Sequence, residues 1–506
     1  MDVLLGIDVG TSGVKTIALT SEGSVLASDS ASYPLLTPRP GWVEQNPEDW
    51  WAAVVDTVRA CLNRIPGGPS RVAAISLSGH MSSVVMVSSE GQALRPCLML
   101  TDARGVEESR CLAERVEDKV RALTGGSVRA GSMAAKLLWI KRHEPEVYKN
   151  ATAFLTAKDF VRMRLTGQAC TEPTDAGNTM FLDPVTRQWA VDLYEEMGLD
   201  RKHLPRLIET TDLAGTITAE AARQTGLLVG TPVIAGGADM ACSAVGTGCV
   251  EDGVVAVTIG TAAQVVTLAH KVDPGCAGRV SFHPHAFKGA LYAMGSIFSG
   301  GLTLRWIRQA IGENDAVRSR SGSYYDRLSE LAAEVPAGSG GVIFLPFLVG
   351  SGSPEFDPSI RAGFIGLSLA SDTGDLVRAA MEGVSYNARD CLGVFREAGL
   401  PVRTLHMGGG GSVSKTWRSI MAGVLGGLIR PLANRDASAV GAAIIAGVGI
   451  GVLGSVSEAS KKIVSFDEDV VAAPADVSTY DRNYRVYDMA RNALKSVYRY
   501  RDSNGG

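Results

Sequence analysis

At 506 residues the chain is too long for a single small binding module and corresponds to about three ordinary domains or two large ones. Hydrophobic residues make up 45% and charged residues 20%, enough to bury a substantial core, which excludes a disordered chain. Lys plus Arg (49) nearly balance Asp plus Glu (53), for a net charge of −4, and no basic block occurs, so nucleic acid is not expected as a main partner.

The 58 glycines exceed the usual share of about 7% and follow no collagen-like period, so they point to tight turns and close backbone approach. The eight cysteines are scattered from Cys61 to Cys391 without a C-x-x-C pair, which argues against a disulfide framework and a zinc site. Asp2 and Asp8 flank only a short apolar run, unlike a signal peptide, and a cytoplasmic location is expected. Residues Ala437 to Gly454 carry no charge and approach membrane-spanning length, yet contain five glycines and no aromatic belt. They read as a small-residue helix packed closely against a sheet, with no membrane partner.

Along the chain, Val3 to Val9 is an apolar strand ending in Gly10-Thr11-Ser12-Gly13, after which Val14 to Leu19 resume a strand. A turn at Ser21-Glu22-Gly23 leads into a third strand from Ser24 to Ser28. Asn46-Pro47-Glu48-Asp49 opens a helix that runs to Leu62, with Asn46 as cap, Pro47 at its first position and acids at its positive end. Val72 to Leu77 is a buried strand, followed by Gly79-His80-Met81-Ser82 and another strand at Val84 to Val87. Strands alternating with helices and hairpins indicate α/β architecture.

The grammar then repeats. Thr231 to Asp239 (TPVIAGGAD) is an apolar strand running into glycines and an acid. Val254 to Leu268 again reads strand, Gly260-Thr261, strand, half a chain after the first Gly-Thr pair. The spacing suggests a duplicated domain with a cleft between the copies, meeting near Gly246 to Gly253; two ordinary hairpins are the competing reading. Thr404 to Met407 enter Gly408-Gly409-Gly410-Gly411-Ser412, a helix follows from about Ser414, and Tyr484 to Tyr500 is helical with tyrosines and alkyl residues on one face.

Phosphate binding needs convergent backbone N–H groups with no side chain in the way, which three turns offer: Gly10 to Gly13, Gly260-Thr261 and Gly408 to Gly411. No G-K-[ST], H-R-D or D-F-G set is present, and Val413 stands where a dinucleotide fingerprint starting at Gly408 needs its last glycine. Asp8, at a strand end before a Gly-Thr turn, is placed to hold Mg²⁺ beside phosphates, or else simply forms the turn. Asp239 either bonds its own turn or lines a cleft, where it would accept the proton of a substrate hydroxyl. Lys15 is a phosphate partner or a solvated lysine. His80, Met81, Asp102 and Arg104 lie at strand ends, placed for substrate contact but equally suited to structural turns. His283-Pro284-His285 reads as loop structure, without the partners of a metal site.

Taken together, these marks resemble the FGGY carbohydrate kinase family, and within it the xylulose kinases. The resemblance runs over nearly the whole chain through Gly6 to Lys15 (GIDVGTSGVK), Gly41 to Trp51 (GWVEQNPEDWW), Thr101 to Arg104, Lys136 to Trp139, Lys158-Asp159, Gly236 to Asp239, Gly260-Thr261 and Gly408 to Gly411. It implies an α/β fold of two actin-like, ribonuclease H-like domains of the sugar kinase, hexokinase and actin superfamily. The first would span residues 1–246 on the sugar side and the second 247–506 on the ATP side. Asp239 then matches the catalytic base and, with Asp8, the acids that organise Mg²⁺. Gly10, Thr11, Ser12, Gly260 and Thr261 match phosphate-facing turns and Gly408 to Gly411 the adenosine-side loop, and Lys15 and Ser412 complete the expected ATP-binding set. The implied reaction is transfer of the ATP γ-phosphoryl group to a sugar hydroxyl. A homodimer is implied by the resemblance alone.

Departures fall in the sugar pocket. The relatives' G-Q-M-H-G is Gly79-His80-Met81-Ser82-Ser83 here, Met240 replaces the Asn after the catalytic Asp, and G-E-R-T-P is Gly350-Ser351-Gly352-Ser353-Pro354. A pocket built to hydrogen-bond a hydroxyl rejects analogues lacking it, so these changes bear on which sugar fits. D-xylulose leads; another ketose, a polyol or a small hydroxylated metabolite is the alternative. A non-catalytic actin-fold ATP binder used for regulation is the reading from another class, and Asp239 argues against it.

Overall fold

The computed structural model describes residues 2–312, 317 and 322–503. Two six-stranded sheets carry the fold. The first comprises β1 (Val3–Val9), β2 (Gly13–Thr20), β3 (Val25–Ser32), β4 (Val72–Gly79), β5 (Leu213–Thr216) and β6 (Pro232–Ala238), in the order β5-β6-β4-β1-β2-β3. The second comprises β7 (Gly253–Ile259), β8 (Ala263–Ala269), β9 (Ser281–Pro284), β10 (Leu291–Ile297), β11 (Val402–Gly408) and β12 (Ile429–Pro431), in the order β9-β10-β8-β7-β11-β12. Each has a run of antiparallel strands joined through its first strand to two parallel strands: β1 pairs antiparallel with β2 and parallel with β4, as β7 does with β8 and β11. These two opening strands are nearly all apolar because both their faces are covered.

The helices cover the sheets according to their caps and small residues. Helix α1 (Pro47–Leu62) starts where Asn46 accepts the Glu48 amide at 3.2 Å, and it packs on the first meander, with Thr57 and Thr16 hydroxyls 2.8 Å apart. Helices α2 (Met133–His143) and α3 (Ala157–Thr166) follow in the first half. Helix α4 (Asp239–Gly246) leaves β6 of the first sheet but packs on the second, with Ala241 and Ala244 against Val254, Ala256, Val266 and Tyr292. After α5 (Thr373–Glu397) and α6 (Lys415–Leu425), α7 (Ala437–Gly449) leaves β12 of the second sheet and packs on the first. There Ala439, Ala443 and Ile444 meet Leu4, Ile17 and Ala74.

Each of this pair thus covers the other half's sheet, and the two cross at small residues. A Cβ on Gly246 would overlap the Ala437 carbonyl oxygen, one on Gly441 that of Cys242, and one on Gly6 of β1 that of Ala439. Close backbone approach explains the charge-free stretch from Ala437, and among the described residues no helix is long and apolar enough to cross a membrane.

Two elements differ from the sequence reading. His283 and Pro284, expected in a loop, close the edge strand β9, where proline costs no ladder donor. The C-terminal helix α8 (Pro474–Ser503) begins ten residues before Tyr484, because Pro474 fits a first helical turn. Its inner face converges on one buried carboxylate: Tyr484 and Tyr487 hydroxyls donate to Asp390 at 2.7 and 3.2 Å, and Arg491 at 2.8 Å.

Candidate active site

The ends of β1, β4 and β6 bring Asp8, Ser78 and Asp239 together at the start of α4. The Ser78 hydroxyl donates to Asp8 Oδ1 at 2.8 Å. Strand β6 bulges between Ile234 and Gly237 relative to β4, and Gly236 takes φ +81°, where a side chain would also strike Leu77 O. A bulge re-aims the residues after it, which accounts for the two glycines before Ala238-Asp239. The Met240 amide donates to Asp239 Oδ1 at 2.7 Å, and the Ser438 hydroxyl donates to Asp239 O at 3.2 Å, tying the starts of α4 and α7.

Burial and the nearby charge of Asp8 push the Asp239 carboxyl up to about 8, against the Met240 bond, with a further push from Asp175. Burial likewise raises Asp8 to about 6; the Ser78 bond opposes this, Asp436 adds to it and Lys15 works against it. Two partly exposed acids that repel one another, with no ion pair to either among the described residues, suit an arriving proton or a hard cation.

The turn beside them is held from beneath. Gly10 N donates to Gly13 O at 3.0 Å, the Tyr33 hydroxyl donates to Gly10 O, and Gln45 Nε2 donates to Thr11 O at 2.8 Å. Trp50 Nε1 in turn donates to Gln45 Oε1 at 3.0 Å. With its carbonyls engaged below, the turn leaves Thr11 and Ser12 exposed. Lys15 pairs with Asp436 at 2.6 Å, both partly exposed, a contact weak enough to yield to a polyanion.

The proposed sugar-side residues fall into two groups. His80 is buried edge-on to Trp50 with ring centroids 5.4 Å apart, and neither ring nitrogen has a hydrogen-bond partner among the described residues. Burial and the charge of Lys136 hold it neutral, with its pKa lowered to about 3. Met81 is half-buried, and Ser82, at φ 60°, presents its carbonyl to Lys136 Nζ at 2.9 Å. Burial lowers Lys136 to about 7. Asp102 and Arg104 instead engage each other. Arg104 Nε and Nη2 donate to the two Asp102 oxygens at 2.8 Å each, and the Val43 amide adds a bond at 2.6 Å. Although burial raises the Asp102 pKa, these bonds hold it below the usual carboxylate range. The guanidinium lies 3.8 Å from the Trp42 ring centroid and 4.9 Å from that of Trp139. Arg104 Nη2 also lies 2.7 Å from Glu44 Oε1, so both residues form a rigid wall within a buried ion-pair network. Met240 is partly buried beside Asp239.

On the second sheet a cavity of about 370 Å³ is lined by Gly260, Thr261, Gly410, Gly411, Tyr325 and Trp417, among others. Gly409 adopts φ +77° against Ile259 O, a position only glycine fills without strain. The buried Ser412 hydroxyl donates to Gly409 O at 2.8 Å, closing the loop rather than facing the cavity. Among the described residues no group of three or more His, Cys, Asp or Glu could hold a metal. Ser78, signalled in the chain by its place beside Gly79 at a strand end, and the Gln45–Trp50 buttress are additions to the expected site.

Duplicated ribonuclease H-like sheets, a glycine turn on each and an acid pair between two helix starts define an actin-like carbohydrate kinase with an interdomain cleft. The chain belongs to the FGGY family of carbohydrate kinases: the family's N-terminal domain matches residues 3–246 and its C-terminal domain residues 255–450. It is 33% identical to a xylulose kinase of Bacillus subtilis over 92% of this chain and 91% of that protein. An autoinducer-2 kinase of Salmonella paratyphi A is 32% identical over 98% of this chain and 94% of that protein. Among solved structures, xylulose kinase from Rhodospirillum rubrum superposes with a TM-score of 0.87 at 30% identity, covering 98% of this chain and all of that one.

Proposed function

We propose that the protein phosphorylates a ketopentose with ATP, D-xylulose giving D-xylulose 5-phosphate. The observation that carries the reading is Asp239, a partly exposed carboxylate set beside Asp8 by the Gly236-Gly237 bulge, where burial and the second acid raise its affinity for a proton. It suits the acceptance of a hydroxyl proton as the acceptor oxygen bonds to the γ-phosphorus and the bridging oxygen leaves with ADP. Thr11, Ser12, Gly10 and Lys15 hold the phosphates from the first sheet and Gly260 and Thr261 from the second, while the Gly408 to Gly411 loop takes the adenosine. His80, Met81, Ser82 and Met240 contact the sugar, against the wall of Asp102 and Arg104.

Asp8 and Asp239 fit a magnesium site, since both are partly exposed oxygen donors and neither forms an ion pair among the described residues. When bound, Mg²⁺ neutralises charge on the β- and γ-phosphates. The first unit, 1–246, carries the sugar side and the second, 247–506, the nucleotide side. Eight unpaired cysteines support a cytoplasmic location. Exposed Val486, Met489 and Val497 on α8 support a homodimer.

The test is ADP release from Mg·ATP over a panel of ketoses, aldoses and polyols. D-xylulose should stimulate release, and Asp239→Asn should reduce it at least about a hundredfold while ATP still binds. ATP binding without stimulation by any acceptor would sink the reading. A different ketose, polyol or hydroxylated metabolite is the second reading, favoured by the departures at His80, Ser82 and Met240; stronger turnover of such a compound than of D-xylulose selects it.

A further inference from the structure

Beneath Asp239 lies a cluster of charge with no exposure at all: Lys158, Asp159, Arg162, Glu172 and Asp175 are fully buried. Lys158 Nζ lies 2.6 Å from Asp159 Oδ1, 2.9 Å from Asp175 Oδ2 and 3.1 Å from Glu172 Oε1. Arg162 Nη2 lies 2.8 Å from Asp159 Oδ1. Taking charges out of water costs several kcal/mol per ion, about as much as their attraction returns, so apolar side chains would fill this space as well. Stability therefore does not explain the cluster.

Its outward bonds give a better account. Arg162 Nη1 donates to Ala235 O at 2.6 Å. Glu172 Oε1 accepts from the Thr174 hydroxyl at 2.8 Å, and Thr174 Oγ1 accepts from the Ala238 amide at 2.7 Å. Ala235 and Ala238 bracket the Gly236-Gly237 bulge, and Ala238 is the residue before Asp239. The single hydroxyl proton of Thr174 is committed to Glu172, so a lone pair faces the Ala238 N–H. Lys158 holds Glu172 in place from behind.

We propose that Thr174, oriented by Glu172 and Lys158, is a positioning residue for phosphoryl transfer: it fixes the Ala238 amide and with it the direction in which Asp239 leaves the bulge. A bulge has lost part of its ladder bonding, so a side chain set by it needs anchoring from elsewhere. The proposal rests on Asp239 being the base.

The experiment measures kcat and KM for D-xylulose and ATP, and the nucleotide Kd, on the full chain. Thr174→Val keeps the shape and removes the hydroxyl. It should lower kcat about tenfold with both KM values and the ATP Kd within about twofold, because small misplacement of a reacting group acts on the chemical step. Thr174→Ser should recover kcat to within about twofold of the parent. In the Asp239→Asn background, Thr174→Val should cost nothing more. If Thr174→Val does not fold, Glu172→Gln must show the same split between kcat and KM.

A Thr174→Val enzyme with parental kcat, alongside an inactive Asp239→Asn, overturns the positioning role and leaves the base assignment standing. Thr174→Ser as impaired as Thr174→Val reduces Thr174 to packing and also overturns it. Parental turnover by Asp239→Asn removes the base assignment, and the proposal falls with it.

Discussion

The hairpins that open the two sheets share a backbone plan and differ in charge. Strands β1 and β7 have the same burial along their length, and each runs into a Gly-Thr turn. Across the first hairpin Asp8 faces Lys15; across the second Thr258 faces Gln264. The second turn is also shorter, closing from Gly260 N to Ala262 O at 2.9 Å where the first closes from Gly10 to Gly13. Cradles of N–H groups belong to the duplicated scaffold, whereas charge appears in the copy that faces Asp239. On the proposed function, duplication supplies the holding of phosphate, and departure from symmetry supplies the chemistry.

Making the first hairpin resemble the second is the most damaging test. Asp8→Thr keeps a side chain able to bond Ser78 but removes the carboxylate that completes the acid pair. Turnover in the ADP-release assay should fall about a thousandfold, with sugar KM little changed, because charge beside the transferring group acts in the transition state. The reciprocal Thr258→Asp should leave kcat within about tenfold and raise the ATP KM by placing an anion near the phosphates. Equal loss from both variants would mean that the asymmetry in charge has no functional content.

A second contrast lies two residues earlier, where β1 has Gly6 and β7 has Ala256. The backbone of α7 sits directly on Gly6, while α4 lies over Ala256 with room for a methyl group. Gly6→Ala should therefore destabilise the protein by about 2 to 3 kcal/mol through forced separation of helix and strand. Ala256→Gly should cost only about 1 kcal/mol, the loss of one methyl and some backbone entropy. Denaturant midpoints of the two variants measure the difference, and similar shifts would contradict the close crossing.

Local chemistry explains which parts of this design are readable in the chain itself. Gly-Thr turns, the Asn46 cap and acids at strand ends are short-range signals, so the paired hairpins and Asp8 and Asp239 stand out in the chain itself. The crossing of α4 and α7 does not, because a glycine's need for space depends on an element some 430 residues away, as Gly6 shows with Ala439. Thr174 is hidden for the same reason: its partner Ala238 lies 64 positions on, and nothing in Glu172-Pro173-Thr174 distinguishes it from an ordinary helix start. Asp102 and Arg104 read as pocket residues because they sit at a strand end, and only the geometry reveals that they are tied into a buried ion-pair network with Glu44.

The smallest effect expected is the one that separates function from stability. An unfolded aspartate ionises near 3.9, whereas Asp239 in the folded protein is pushed up to about 8. Between those values the native state binds a proton that the unfolded chain has released, so this group's contribution to stability declines as pH rises from about 4 to about 8. Asn at position 239 carries no such penalty. Asp239→Asn should therefore melt at the same temperature as the parent near pH 4 and about 1 to 2 °C higher at pH 8, the gain being small because the side chain keeps contact with water. Asp8→Asn should follow the same sign but level off by about pH 6, its own folded value. Thr258, the matching residue of the second hairpin, has no ionisable group, and replacing it should give a pH-independent shift. Melting curves across this range that run parallel for Asp239→Asn and parent would show that the acid pair imposes no electrostatic cost on the fold.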